Sequence, residues 1–283
     1  EMYNFRGELL QELKAKGYEI TVICPPDEKN AHYFTDLGIK LLTVPMSRKG
    51  TNIKEDLQLV KNLFKVYKKE KFDLVFHYTI KPNIYGTLAA KLAGIKSIAI
   101  TTGLGYVFLH NNITSLIAKF MYKFSLAFAN EVWFLNDDDM NIFLDKDLIT
   151  ERQAFKLPSE GINTKRFVPK EKNRKDSKTV FLMIARVLYD KGFNEYLEAA
   201  KLIKAQRNDV EFQLLGAIDS GNPSGVPQSV VEDAVSNGFI NYLGTTSDVL
   251  PIIREADCMV LPSYREGISR VLMEAASMEK PII

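Results

Sequence analysis

Two glutamates, Glu266 and Glu274, stand eight residues apart in EGISRVLMEAASMEKP (266–281), directly after the apolar run CMVLP (258–262). A carboxylate is a good acceptor for paired hydroxyls, but taken alone the pair also reads as surface glutamates on an ordinary helix. Arg186 follows the apolar run VFLMIA, and Lys191-Gly192 come five residues later. A strand end leading through a cationic loop into a helix suits a diphosphate: Arg binds oxygens bidentately, Lys adds a second charge, and helix-terminal amides help. In TTGLGYVF (101–108), Gly103-x-Gly105 follows another apolar run, but Phe108 stands where the dinucleotide fingerprint needs a third glycine. NAD and FAD are therefore not expected, and without GxxxxGK[ST] neither is a P-loop. Gly103 and Gly105 either let the backbone approach a ligand or make a tight turn. In NDDDM (136–140), Asp137 and Asp139 could hold a divalent cation, yet Asn and Asp ahead of Met140, Ile142, Phe143 and Leu144 are also what a helix N-terminus requires. The helix is the expectation, with no metal and no cofactor. His77, closing LVFH (74–77), is a lone histidine at a strand end.

These residues need elements to hold them. The chain opens inside a helix: Met2, Phe5, Leu9 and Leu13 form one apolar stripe, Gly17 ends it, and 19–24 (EITVIC) is a strand. Further strands are expected at 39–44, 74–77, 97–101 and 131–135, then at 180–185, 210–215, 240–243 and 258–261. Helix-length segments separate them. That alternation predicts an α/β protein with parallel sheets covered by helices on both faces. The break 158–178, rich in charge, Pro and Gly, reads as a linker between a first domain at 1–157 and a second at 179–283. Two such doubly wound domains are expected to bind ligand in the cleft between their strands' carboxyl ends. Opening mid-helix and stopping on the apolar Pro281-Ile282-Ile283, the chain is expected to be truncated at both ends, its first strand missing.

The chain has 283 residues, 46% hydrophobic and 25% charged, enough for two cores. Cys24 and Cys258 sit in separate apolar runs and suit reduced thiols better than a disulfide framework. No run of 18 uncharged apolar residues occurs, and no signal peptide. The net charge of +2 hides an asymmetry: 40–123 carries 14 Lys and Arg against 4 Asp and Glu, an excess of ten. Such a patch can attract phosphates or an anionic membrane surface, and much of it is also readable as one solvated helix, 53–71. No nucleic-acid partner is expected.

ARVLYDKG (185–192), INYLGTTSDVLPIIREADCMVLPS (240–263) and EGISRVLMEA (266–275), in this order and spacing, resemble the second domain of retaining glycosyltransferases of family 4, which have the two-domain GT-B fold. The glutamate pair matches that family's E-x7-E signature. FRGELLQELKAKGYEI (5–20) and TTGLGYVF extend the resemblance into the first half, toward the branch that extends sugars on undecaprenyl diphosphate for capsule and protein N-glycosylation. The resemblance implies roles. Glu266 would bond donor-sugar hydroxyls, the backbone of Gly267, Ile268, Ser269 and Arg270 would meet the diphosphate, and Glu274 would hold the ribose. Arg186 and Lys191 would stabilise the leaving diphosphate without metal. Gly216 would lie near the nucleotide and Leu243 near the base. The loop TTGLG lacks the histidine many relatives carry there, which leaves His77 as the nearest candidate on the acceptor side; in the same-face retaining reaction the leaving phosphate can itself take the proton. The implied activity is transfer of a hexose or N-acetylhexosamine from a UDP-sugar to a polyprenyl-diphosphate-linked saccharide, at the inner face of the plasma membrane. A UDP-sugar epimerase and a non-catalytic nucleotide-sugar binder are the alternatives.

Overall fold

The computed structural model describes residues 2–27, 31–47, 52–104, 113–173 and 177–283. The chain forms two compact units, Glu1–Glu160 and Gly161–Ile283.

In the first unit, β1 (Thr21–Cys24) pairs with β2 (Lys40–Thr43), and β3 (Leu74–Tyr78), β4 (Lys96–Thr101), β5 (Glu131–Phe134) and β6 (Ala154–Lys156) form a second sheet in that order. All these pairings are parallel, as strands joined through helices require. The helices are α1 (Met2–Ala15), α2 (Ala31–Asp36), α3 (Ile53–Glu70), α4 (Thr87–Ala93), α5 (Ile113–Leu126) and α6 (Asp137–Asp145), with a π-turn, Pro82–Gly86, leading into α4. Helix α3 shows why the sequence folds locally as it does. Asn52 caps it by accepting from the Lys54 amide, Glu55 and Asp56 sit in its first turn, and Lys68 and Lys69 in its last, each matching the helix dipole. Its buried face is Asp56, Leu59, Leu63 and Tyr67, a helical spacing, and packs with Val44, Val75, Ala89 and Ala90. Asn136 caps α6 in the same way, accepting from the Asp139 amide at 2.7 Å, so the three aspartates fill a first helical turn.

The second unit has β7 (Thr179–Ile184), β8 (Val210–Leu215), β9 (Asn241–Tyr242) and β10 (Cys258–Met259), parallel, in the order β10-β7-β8-β9. Strand β7 is buried on both faces. Met183 joins a core with Phe193, Tyr196 and Ala200 of α7 (Phe193–Lys204) and Val231 and Ala234 of α8 (Gln228–Ser236). Val180 and Leu182 join the other, with Ile253 of α9 (Leu250–Glu255) and Ala275 of α10 (Arg270–Ser277). Tyr196 donates its hydroxyl to the carbonyls of Phe181 and Gln213, both at 2.8 Å, which satisfies the polar end of a buried ring. Because the strand order reverses at β7, the crevice beside β7 and β10 is where an open parallel sheet takes a ligand.

Within the expected linker 158–178, the chain from Gly161 on groups with the second unit, and Phe167, 2% exposed, packs into its core while its carbonyl accepts from Ser277 Oγ at 2.6 Å. Strand β6, within QAFKLP, has no counterpart among the expected strands. Among the described residues no helix is long and apolar enough to cross a membrane.

Candidate active site

The carboxyl ends of β7, β8 and β10 each continue into a loop carrying expected site residues. The loop after β7 holds Arg186, then the short turn Tyr189–Lys191, then Gly192 at φ +82°. A side chain on Gly192 would meet the Pro262 carbonyl oxygen at 2.2 Å, so this loop and the one after β10 touch backbone to backbone. Gly216, ending β8, is just as tight: a Cβ there would lie 1.7 Å from the Ala185 carbonyl oxygen. Its amide bonds the Gly244 carbonyl at 2.8 Å, and its own carbonyl accepts from the Tyr242 hydroxyl at 2.8 Å. Leu243 packs against the core on the α9–α10 side of the sheet.

The turn bearing Lys191 is braced from both neighbours. Asp190 donates its amide to Ser224 Oγ at 2.9 Å, and Tyr189 donates to the Ser224 carbonyl at 2.8 Å. On the other side the Asp190 carbonyl accepts from the Tyr264 amide at 3.1 Å and from Ser263 Oγ at 3.3 Å. These bonds bring together side chains 75 positions apart in sequence: Lys191 Nζ donates to Glu266 Oε1 at 2.6 Å. Four residues on, α10 opens with Ser269 as its cap residue, and Arg270 Nε donates to Glu274 Oε1 at 3.0 Å. Glu274 is buried. Arg186 faces Asp219 more loosely, at 3.4 Å. Each cation is thus matched by a carboxylate, and the amides of 267–270 lie at the opening of α10, where an anion is favoured.

His77 is buried in the first unit. It is 3% exposed, with Nε2 3.0 Å from the Tyr67 hydroxyl and Nδ1 3.2 Å from Thr87 Oγ1, and Gly86 packs so closely that a Cβ would touch its ring. Burial pushes its pKa down to about 3, so the imidazole is neutral and held within the core. The alternation of β3 carries the signal, since His77 shares the inward face with Val75. Gly103 adopts φ +132° after β4, and Gly105 lies outside the described residues.

Asp219, Ser224, Ser263 and Tyr264 belong to the site without having been expected there. GAIDSGNPSG (216–225) shows only that a turn-rich loop follows β8. Further polar clusters occur among the described residues of the first unit. Buried Arg6 bonds both Glu160 oxygens, at 2.9 and 3.1 Å, and lies 3.8 Å from the Tyr78 ring centroid. Asp56 accepts from Lys81 at 2.8 Å and from Tyr85 at 2.7 Å.

Comparison with known proteins fits this geometry. Residues 2–136 match the family model described as glycosyl transferase 4-like, and 164–283 match glycosyl transferases group 1. The N,N'-diacetylbacillosaminyl-diphospho-undecaprenol alpha-1,3-N-acetylgalactosaminyltransferase of Campylobacter jejuni is 32% identical over 100% of this chain and 77% of its own length. The chain belongs to this glycosyltransferase family. A UDP-Gal:alpha-D-GlcNAc-diphosphoundecaprenol alpha-1,3-galactosyltransferase of Escherichia coli is 26% identical over 96% of this chain and 72% of its own. Among solved structures, a glycosyltransferase from Rickettsia africae superposes with TM-score 0.76 at 20% identity, covering 100% of this chain and 76% of the other. Anabaena HepE in complex with UDP-glucose gives TM-score 0.74 at 17% identity, over 98% and 76%. This glycosyltransferase therefore has the GT-B type of fold, two α/β units with parallel sheets.

Proposed function

We propose that this glycosyltransferase moves a hexose or N-acetylhexosamine from a UDP-sugar to a polyprenyl-diphosphate-linked saccharide, with retention, in bacterial capsule, O-antigen or glycan assembly. The observation that carries this reading is the similarity, over all of this chain and 77% of the relative, to a transferase whose name specifies an undecaprenyl-diphosphate-linked acceptor. In the second unit, Arg186 and Lys191 receive the diphosphate at the switch point of the sheet, and the amides of 267–270 complete its cradle. Glu274 accepts the ribose hydroxyls and Glu266 those of the sugar. As the bond to the anomeric carbon breaks, negative charge grows on the leaving phosphate, and fixed cations stabilise it without reorganising. The phosphate oxygen then takes the acceptor's proton, so the reading needs no protein base.

A membrane-bound acceptor asks for an interfacial surface, and α5 has the right character. Leu116, Ile117, Phe120 and Phe124 are each more than half exposed along one side, with Lys123 exposed among them, while Ser115, Tyr122 and Leu126 are buried. The exposed Lys65, Lys68, Lys69 and Lys71 of the α3 end add charge attractive to anionic lipid. Thermal stabilisation across UDP-, GDP- and ADP-sugars tests the donor. A UDP-sugar should raise the melting midpoint as RT ln(1 + [L]/Kd) requires, and a larger response to a GDP- or ADP-sugar would overturn the UDP assignment.

A further inference from the structure

We propose that Asn222 is a positioning residue for Lys191: its side chain fixes Ser224, and Ser224 holds the turn on which the lysine stands. The inference rests on the donor reading above, in which Lys191 meets the diphosphate. It goes beyond that reading by naming what sets the place of the lysine.

The loop after β8 is folded against the loop after β7. Val187 pairs with Ile218 and Leu188 with Gly225. The Val187 amide bonds the Ala217 carbonyl at 2.9 Å, and the Val226 amide bonds the Val187 carbonyl at 3.2 Å. Val187, Leu188 and Val226 are buried, so this contact is part of the core and not a surface meeting. Two successive turns close the β8 loop on itself: Asn222 donates its amide to the Asp219 carbonyl at 3.0 Å, and Gly225 donates to the Asn222 carbonyl at 2.8 Å. A Cβ on Gly225 would lie 2.2 Å from the Asp219 carbonyl oxygen, which shows how closely the loop is wound.

Inside this loop Asn222 Oδ1 accepts from the Ser224 amide at 3.0 Å. A side chain that bonds the backbone two residues on is an Asx turn, and Pro223 at its centre restricts the φ angle it spans. Ser224, held in this way, makes both bonds to the lysine's turn from this side: its Oγ accepts from the Asp190 amide at 2.9 Å, and its carbonyl accepts from the Tyr189 amide at 2.8 Å. Lys191 is the next residue. The loop after β10 holds the Asp190 carbonyl from the opposite side, so Asp190 is gripped by amide and carbonyl together. Without the Asx turn the grip of Ser224 is made only part of the time. The apparent affinity for a ligand of Lys191 then falls with the fraction of molecules in which the lysine is in place.

Calorimetry with inorganic pyrophosphate and with UDP tests this on the wild type, Asn222→Ala, Asn222→Asp, Lys191→Met and the Asn222→Ala/Lys191→Met double variant. Asn222→Ala should bind both ligands about three- to tenfold more weakly, the worth of one net hydrogen bond. Asn222→Asp keeps the acceptor oxygen and, in salt that screens its added charge, should bind as the wild type does. In the Lys191→Met background Asn222→Ala should change neither affinity, an independence that a general loosening of the unit would not produce. Wild-type affinity in a folded Asn222→Ala, an equal loss with and without Lys191, or no recovery in Asn222→Asp overturns the proposal. Should Asn222→Ala not fold, Pro223→Gly, which keeps Asn222 and Ser224 and loosens only the turn between them, decides by the same comparison with and without Lys191. If the wild type binds neither ligand, or Lys191→Met binds as tightly as the wild type, the donor reading fails and the inference falls with it. A weakened Lys191→Met beside a neutral Asn222→Ala sinks the inference alone.

Discussion

Single residues divide into those proposed to meet ligand and those that hold the fold. Glu274 is assigned to the ribose, so Glu274→Ala should weaken UDP binding by about 1.5–3 kcal/mol, the value of a hydrogen bond to a charged group. Calorimetry on the folded variant checks this, and an unchanged affinity would remove Glu274 from the site. His77 makes the opposite case. Its folded pKa of about 3 lies below the ordinary 6.5, so the unfolded chain takes up a proton that the folded one refuses. Its contribution is thus a loss of stability as pH falls from about 6.5 toward 3, with no effect above that window. Denaturant titrations at pH 7 and pH 5 should show wild type losing about 2 kcal/mol more than His77→Gln. Equal losses would mean the imidazole is not desolvated. The sequence alone offers a strand-end histidine for either role; the decision came from Tyr67, Thr87 and Gly86 closing around it.

At the scale of elements, the loops after β7, β8 and β10 work as one assembly. Gly192→Ala puts a side chain at φ +82° against the Pro262 carbonyl. It should destabilise the protein by roughly 1–3 kcal/mol, the cost of a residue forced into a sparsely populated conformation. It should also weaken pyrophosphate binding by shifting Lys191. Urea unfolding and calorimetry measure the two effects, and a variant neutral in both would show that the loops are not locked together. This assembly was half legible. Strands 180–185 and 210–215 lie within a residue of β7 and β8, and the cationic loop and the glutamate pair were readable as ligand-binding types. Spacing could not foretell that Lys191 and Glu266 pair, because only the sheet order β10-β7 brings residues 75 apart together. Strand β6 escaped notice because AFK has three residues and no period to detect. The charged stretch 158–178 hid Phe167, one aromatic whose burial draws the segment into the second unit.

For the molecule as a whole, the basic excess of 40–123 and the exposed apolar side of α5 suit the membrane-bound acceptor proposed above. Liposome flotation should show binding that requires anionic lipid, weakens at high salt and drops when Lys65, Lys68, Lys69 and Lys71 are neutralised, each lysine contributing about 1 kcal/mol near the surface. Flotation indifferent to salt and to those lysines would leave the charge as a solvated face. Transfer onto a lipid-linked saccharide is read directly from the lipid fraction. The enzyme is incubated with UDP-N-acetylgalactosamine, UDP-galactose or UDP-N-acetylglucosamine and an undecaprenyl-diphosphate-linked acceptor saccharide, and the lipid fraction is analysed by mass spectrometry and NMR. The acceptor should become heavier by one sugar, joined with the anomeric configuration of the donor. A UDP-sugar converted without any acceptor, an unchanged lipid fraction with all three donors, or an inverted linkage would contradict it.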